Sequence, residues 1–295
     1  MALSHNNIEI ITKCPIEERT IGLYPAFLID PCILPLKKLE KCNVEGFGKY
    51  KTVMLSSPQI LPYGHYARLI IAHLTTQIRR RPELPSYVIA KSVSDLFQQI
   101  TGQDCISGGT YANFLLSLER VFDTTFTVVS TNNSEDKTNN SEDKTRRRGF
   151  FAEADNVITN EYDVGQFNAK YKQVLYTPSS SFKALITGDK SIIPIDLRFL
   201  QLARAKDIVF AHDLYLFLIR RGYGRERVGF VPWVTLHKDI FPYFKRFAFS
   251  RFKRRFLHAL DFILECHPHS GIRVDKEDKG LVIPPNNYLL RGRGG

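Results

Sequence analysis

The most distinctive chemistry in the sequence lies at residues 240–260, a stretch that contains no acid. Its basic side chains are Lys245, Arg246, Arg251, Lys253, Arg254, Arg255 and His258. Helical spacing of about 100° per residue separates two faces. One face carries Phe249, Phe252, Phe256, Leu260 and Ile263, and the other carries Arg251, Arg254, Arg255 and His258. Such a helix can pack on a core while its guanidinium groups clamp phosphate and read guanine in a major groove. The alternative is a solvated basic face without a partner.

A second pattern, Cys266-His267-Pro268-His269, has two histidines at a spacing that can bind a metal or serve a metal-dependent nicking enzyme. Pro268 cannot donate to a strand ladder, and a long helix should end here, so we interpret the pattern as a helix stop. The sequence has no G-x-x-x-x-G-K-[ST] loop, no G-x-S-x-G elbow and no H-E-x-x-H motif. Its five cysteines form no C-x-x-C pair, which favours buried free thiols. We therefore expect binding rather than catalysis, with no catalytic residue, metal or cofactor.

The overall charge agrees with a binding role. The 295 residues include 41 Lys+Arg and 30 Asp+Glu, which gives a formal net charge of +11. This excess predicts a polyanionic partner, either nucleic acid or an acidic membrane surface. Nucleic acid is favoured because the apolar face of the basic helix is needed for a core. We find neither a run of about 20 apolar residues nor a secretory signal, and we expect a cytoplasmic protein.

The first half of the chain predicts elements that would position a binding helix. Residues 1–57 read as an N-terminal arm with short strands at 8–11 and 51–55. Helical spacing begins at Gly64 and ends at 79–81, before a proline. After a strand at 87–89, a helix begins at the N-cap Ser92 and ends at Gly102. Gly108 and Gly109 are predicted to form the turn before a third helix at 110–122.

A β-hairpin should follow, from alternating residues at 125–129 to strands at 150–152 and 157–158. Between its strands the heptapeptide TNNSEDK occurs twice in tandem, at 131–137 and 138–144. Seven polar residues repeated in this way have nothing to bury, so we predict a disordered loop at 131–145. Further strands are predicted at 173–176 and 182–186.

The second half predicts the same succession of elements. Helices are expected at 195–203, 208–220, 233–240 and about 245–266, and a hairpin at 271–275 and 281–283. Each half thus reads as helices followed by a hairpin, the order of a winged helix-turn-helix domain. The predicted fold is α+β, with two tandem winged helix-turn-helix domains at 58–190 and 191–285. The arm at 1–57 precedes them, and a flexible tail at 286–295 follows.

Two blocks of sequence resemble the plasmid-encoded RepA-type replication initiators. The first is LPYGHYARLIIAHLTT at 61–76, with SVSDLF at 92–97 and SGG at 107–109. The second is IPIDLRFL at 193–200, DLYLFL at 213–218, Pro232-Trp233 and FKRRFLHAL at 252–260. Together they cover about residues 58–285. The arm and the tandem repeat have no counterpart in the resemblance.

The resemblance implies sequence-specific binding to repeated sites (iterons) in double-stranded DNA at a plasmid origin. It also implies recruitment of host DnaA and the replicative helicase, and related initiators often form homodimers. The candidate DNA-binding residues in the second domain are the basic side chains of 240–260 given above. Those in the first domain are Thr110, Tyr111, Asn113 and Ser117, with Arg146, Arg147 and Arg148 beside the hairpin. The alternatives are a winged-helix transcriptional repressor without initiator activity and a nicking enzyme that uses His267 and His269.

Overall fold

The computed structural model describes residues 20–29, 32–40, 43–47, 51–104, 107–131, 144–152, 174–188, 191–222 and 226–285. The first part contains strands β1 (Ile21–Pro25), β2 (Asn43–Phe47) and β3 (Lys51–Ser56), helix α1 (Gly64–Arg80), strand β4 (Tyr87–Ala90), helices α2 (Val93–Thr101) and α3 (Gly108–Phe122), strands β5 (Thr125–Thr131), β6 (Lys144–Phe150) and β7 (Val174–Tyr176), and helix α4 (Ser180–Thr187). The second part contains β8 (Ile192–Asp196), α5 (Leu197–Ala205), α6 (Val209–Gly222), β9 (Gly229–Pro232), α7 (Trp233–Thr235), α8 (Phe249–Cys266), β10 (Arg273–Val274) and β11 (Gly280–Ile283). Leu236–Ile240 forms a π-helix after α7, and Ala26–Leu28 and Pro242–Phe244 form 3₁₀ turns.

The first helices form where the local signals predict them. Helix α1 buries a continuous apolar stripe and ends at Arg80, one residue before the turn that contains Pro82. Ser92 caps α2 by accepting a hydrogen bond from the backbone N–H of Asp95 at 3.0 Å. Gly102 ends α2 in the left-handed region, at φ 67°. The predicted cap and helix end are therefore confirmed.

The segment predicted as an N-terminal arm is part of the folded body wherever the structure describes it. Strand β1 pairs antiparallel with β8, and β3 pairs antiparallel with β5. The sheet order β2-β3-β5-β6 places the hairpin β5–β6 beside strands from the segment. Tyr24, Leu28 and Ile29 are almost fully buried. The arm prediction was wrong because these short strands pair with distant partners, which local periodicity cannot reveal. The predicted strand at 8–11 lies outside the described residues.

Three local predictions in the first part are corrected. Gly108 and Gly109 form the first turn of α3 rather than a preceding turn, because Ser107 is the N-cap. Residues 182–186 lie in helix α4 rather than a strand. There Ser179 caps the helix, and Phe182 and Ile186, one turn apart, are both buried. The hairpin returns at Lys144–Phe150, earlier than predicted. The predicted strand at 157–158 and residues 132–143 of the tandem repeat lie outside the described residues.

The second part has a three-stranded sheet in the order β10-β11-β9; its strand β11 contacts α6, and α6 packs against α8. The predicted helix at 195–203 begins instead at Leu197. Residues 192–196 form β8, and Asp196 then caps α5 by accepting a hydrogen bond from the backbone N–H of Arg198 at 3.0 Å. The predicted helix at 233–240 is a short α-helix continued by the π-helix. The predicted long helix at 245–266 begins at Phe249, so Lys245 and Arg246 lie before it.

A buried ion pair connects the two parts. Arg68 of α1 binds Asp213 of α6 through two hydrogen bonds of 2.6 Å each, from Nε to Oδ1 and from Nη2 to Oδ2. Arg68 also donates to the carbonyls of Leu34, Pro35 and Gly64, and the hydroxyl of Tyr243 donates to Asp213. Because every charge in this network is paired, burial of Arg68 is tolerated, and loss of either partner would leave an uncompensated charge. The network fixes α1 against α6.

Candidate nucleic-acid interface

Helix α8 has the two faces that its sequence predicts. Phe252, Phe256, Leu260 and Ile263 are buried. Arg251, Arg254 and His258 are exposed along the opposite side, at spacings of three and four residues. The exposed stripe continues with Asp261 and Glu265, so it is basic in its first half and acidic in its second. Phe249 is an exception to the predicted apolar face, because it lies at the helix start and is 43% exposed.

Three arginines surround one ring just before α8. The guanidinium carbons of Arg246, Arg251 and Arg255 lie 5.3, 4.9 and 5.9 Å from the ring centroid of Phe247. Cation–π contact orients these side chains without neutralising them. Lys245, which precedes Arg246 in the sequence, is also exposed. The N-cap residue of α8 is Ala248, whose side chain cannot accept a hydrogen bond from the first backbone N–H groups of the helix. Arginines and an uncapped helix N-terminus together favour an anion such as a DNA phosphate.

Lys253 does not share this role, although it was predicted to bind DNA. Its ammonium group forms an ion pair with Asp278, in the turn between β10 and β11, and lies 5.4 Å from the Trp233 ring centroid. The hydrogen bond that Lys253 donates in this ion pair lowers the pKa of the Asp278 carboxyl. Trp233 donates from Nε1 to the backbone carbonyl of Asp278 at 3.0 Å. Lys253 therefore positions the hairpin turn against α8 and is not available to phosphate in this arrangement.

Helix α3 of the first part presents a different surface. Its exposed side chains include Ala112, Asn113, Leu116 and Glu119, with an acid and no base among them. Ser117 was predicted to reach a groove, but it is buried and its hydroxyl donates to the carbonyl of Asn113 at 2.8 Å. Thr110 accepts a hydrogen bond from the Ser107 hydroxyl at 2.8 Å, and Tyr111 is partly buried. Asn113 is thus the most accessible of the four residues predicted in this helix.

The predicted arginine triplet lies on strand β6. The backbones of Arg146, Arg147 and Arg148 pair with Val129, Val128 and Thr127 of β5. Arg147 and Arg148 are both exposed, and successive side chains of a strand point to opposite faces. These two arginines therefore do not form one patch.

His267 and His269, the two histidines considered for metal or nicking chemistry, differ in burial. His267 is 5% exposed, and its ring stacks on Tyr215 with a centroid distance of 5.6 Å and an interplanar angle of 19°. His269 is exposed. In the part of the chain that the structure describes, no group of three or more His, Cys, Asp or Glu side chains could hold a metal ion. Burial raises the pKa of the neighbouring Cys266 thiol to about 12, and this cysteine is free.

Sequence reasoning missed Phe247 and Asp278. Phe247 could have been found from its spacing, because the arginines that contact it precede it by one residue and follow it by four and eight. Asp278 could not, because its contact with Lys253 depends on how the hairpin folds back on α8.

Comparison with known proteins gives a structural likeness alone. No family model matches the chain, and no curated protein is similar to it in sequence. A crystal structure of domains 2 and 3 of RctB superposes with a TM-score of 0.54 and 13% identity, covering 88% of this chain and 96% of that one. A second crystal structure of the same domains has a TM-score of 0.49 and 16% identity, with 88% and 97% covered. The first superposition shows that the chain shares the fold of these RctB domains. Among its described residues, no helix is long and apolar enough to cross a membrane.

Proposed function

We propose that the chain is a plasmid DNA replication initiator that binds repeated origin sites sequence-specifically. The observation that carries this proposal is the acid-free basic half of α8, exposed beside a hairpin in the second part of the chain. The fold is compatible with this proposal, and it is shared with domains 2 and 3 of RctB. The resemblance to RepA-type initiators points to the same class.

We infer further that the two parts are tandem winged-helix units. In the second part, the order α6, β9, α7, α8 and β10–β11, with β9 joined to the hairpin, fits this description. The first part has the matching order α1, β4, α2, α3 and β5–β6, but β4 pairs with β7 instead of the hairpin. In each unit the third helix holds the position that a recognition helix has in a winged-helix domain.

The mechanism follows from the placement of charge. Lys245, Arg246 and Arg255, around the uncapped start of α8, contact backbone phosphates and make the affinity fall as salt rises. Arg251, Arg254 and His258 extend along the exposed stripe and reach base edges in the major groove. Lys253 acts indirectly, by holding the hairpin turn. The activity is binding, without a catalytic residue or cofactor.

The wider role includes partners that initiators need. The bound protein recruits DnaA and the replicative helicase of the host and pairs as a homodimer, as the resemblance implies. A transcriptional repressor would share the DNA contacts and lack this recruitment. Replication of a plasmid that carries only the origin and this gene separates the two functions, since a repressor would not support it.

A footprint on the repeats of the chain's own plasmid tests the proposal directly. We expect protection of each repeat by the wild-type chain and its loss in the double variant Arg251→Ala plus Arg254→Ala. The matched control is Arg80→Ala plus Arg81→Ala, an exposed arginine pair at the end of α1. Equal protection by both double variants would contradict the role of α8.

A further inference from the structure

A cavity of about 430 Å³ lies where three elements from the two parts meet. It is bounded by the first turn of α1, one side of α3 and the turn that follows α5. Its lining includes Tyr63, His65, Asn113, Arg120, Arg204 and Asp207. This volume is within the range of about 300–1,000 Å³ that small-molecule sites occupy. We call it the junction pocket.

Two arginines from different helices line the junction pocket, and each is placed beside a tyrosine. The guanidinium carbon of Arg120 lies 5.0 Å from the ring centroid of Tyr63. The guanidinium carbon of Arg204 lies 6.0 Å from the ring centroid of Tyr66. Neither guanidinium has a carboxylate within ion-pair distance among the described residues. Within the described part of the chain, the two positive charges therefore have no ion-pair partner.

Arg204 carries a more specific sign of a missing partner. Its Nε atom is buried and has no hydrogen-bond acceptor in the described part of the chain. A buried N–H group without an acceptor costs free energy, and the cost is larger for a charged group. An anion in the junction pocket would lie beside the guanidinium group that carries this atom, because Arg204 lines the pocket. The same anion would face Arg120 across the pocket.

The first turn of α1 adds to the positive potential. Gly64, His65 and Tyr66 all line the pocket, and Tyr63 provides no side-chain cap for this 17-residue helix. The positive end of the helix dipole therefore faces the cavity.

Asp207, the acidic residue that lines the junction pocket, does not cancel the positive potential. Asp207 is 94% exposed and lies 3.2 Å from Nε2 of His65. The other ring nitrogen of His65 is 3.0 Å from Nε2 of His212. Burial lowers the pKa of His65 to about 4, so its ring is neutral near pH 7 and binds Asp207 as a hydrogen-bond donor. The carboxylate is thereby held at the solvent edge of the pocket.

We propose that the junction pocket binds a phosphate group through Arg120 and Arg204. Planar guanidinium groups match phosphate oxygens in two-point geometry, and two of them line this pocket. The phosphate belongs to a free mononucleotide or to a DNA backbone, and the two sources share this chemistry. The site is separate from the surface of α8 and adds a second anion contact at the junction.

Calorimetric titration of the full chain with AMP, inorganic phosphate and adenosine tests the free-ligand source. We expect AMP and phosphate to bind and adenosine to bind at least tenfold more weakly than AMP. Arg120→Gln and Arg204→Gln should each weaken AMP binding at least tenfold. The control Arg80→Gln, at the other end of α1, should leave it unchanged. Arg251→Ala plus Arg254→Ala should also leave it unchanged, which separates this site from the proposed function of α8.

The salt dependence of origin-DNA binding tests the other source. If the phosphate belongs to DNA, AMP does not bind, and each of the two glutamine variants lowers the slope of log K against log salt by about 0.9. Arg80→Gln keeps the wild-type slope. The proposal is overturned if the glutamine variants melt like the wild type and change neither AMP binding nor the slope. It is overturned equally if no phosphate ligand binds and the chain does not bind DNA. If Arg204→Gln does not fold, Arg120→Gln alone decides.

Discussion

Helices α3 and α8 hold corresponding places in the order of elements, yet their exposed faces differ in charge. Helix α8 exposes Arg251, Arg254 and His258 along its first half. Helix α3 exposes Ala112, Asn113, Leu116 and Glu119. Its arginine, Arg120, is turned towards the junction pocket instead of along the exposed face. The same architectural position thus carries two chemistries.

This difference shows that the place of a helix in a fold does not determine its role. A phosphate backbone attracts cations whatever the sequence of the bases, so a helix that enters a groove benefits from basic residues at its edges. Helix α8 has them and α3 does not. We therefore assign sequence reading to α8 and expect the exposed face of α3, which is opposite in charge, to contribute little direct contact.

The largest effect should come from removing the exposed arginines of α8. Each arginine that reads a base or clamps a phosphate contributes about 1–3 kcal/mol. Arg251→Ala plus Arg254→Ala should therefore weaken origin-DNA binding by about thirtyfold or more in a fluorescence anisotropy titration. The unfolding free energy should stay the same, because both side chains are exposed. Affinity within threefold of wild type would remove α8 from the mechanism.

Acid should weaken the fold while leaving the charge of the α8 arginines unchanged. Burial lowers the pKa of His65 and His73 to about 4, below the value of about 6.5 in an unfolded chain. Between these values the unfolded chain binds protons that the folded chain does not. The contribution of His65 and His73 to the free energy of unfolding is therefore complete above pH 6.5 and falls as the pH drops towards 4.

Urea unfolding at pH 7.5 and pH 5 measures this loss. We expect a free energy of unfolding lower by a few kcal/mol at pH 5. The variant His73→Leu should show a smaller difference between the two pH values, since it removes one of the buried rings. A free energy that does not change between pH 7.5 and 5 would contradict the burial of these histidines.

Release of the hairpin turn from α8 should have an intermediate effect. Lys253→Met keeps much of the side-chain volume and removes the ion pair with Asp278. We expect about a tenfold loss of DNA affinity, because the turn between β10 and β11 is no longer held beside the helix. Asp278→Asn should give a similar loss although it removes a negative charge from the surface. An increase in affinity with Asp278→Asn would show that repulsion from DNA matters more than the contact with Lys253.

The smallest effect should come from adding an acid to α3. Leu116 is 44% exposed on this helix, so Leu116→Glu should be tolerated by the fold. If α3 lies more than about 10 Å from DNA, salt screens the new charge and the affinity stays within threefold of wild type. A tenfold or greater loss, with unchanged melting temperature, would show that α3 enters the groove.

Local signals made the first helices and the two faces of α8 predictable from the sequence. Ser92 begins α2 through its side-chain cap, and Gly102 ends it through its left-handed backbone. The 3.6-residue period of α8 is also strong. Non-local features were not predictable. The predicted helix at 195–203 included the last two residues of the strand Ile192–Asp196, whose partner, Ile21–Pro25, is remote in sequence. Likewise, the sequence placed Lys253 among the DNA-binding residues, because its ion pair with Asp278 forms only when the hairpin folds back on α8.

Photocrosslinking tests the central comparison most directly. Ser250 of α8 and Leu116 of α3 are both exposed, and neither is charged, so a benzophenone amino acid at either position leaves the arginines intact. With origin DNA, the chain labelled at position 250 should crosslink and the chain labelled at position 116 should not. Crosslinking from position 116 without crosslinking from position 250 would contradict the assignment of DNA reading to α8.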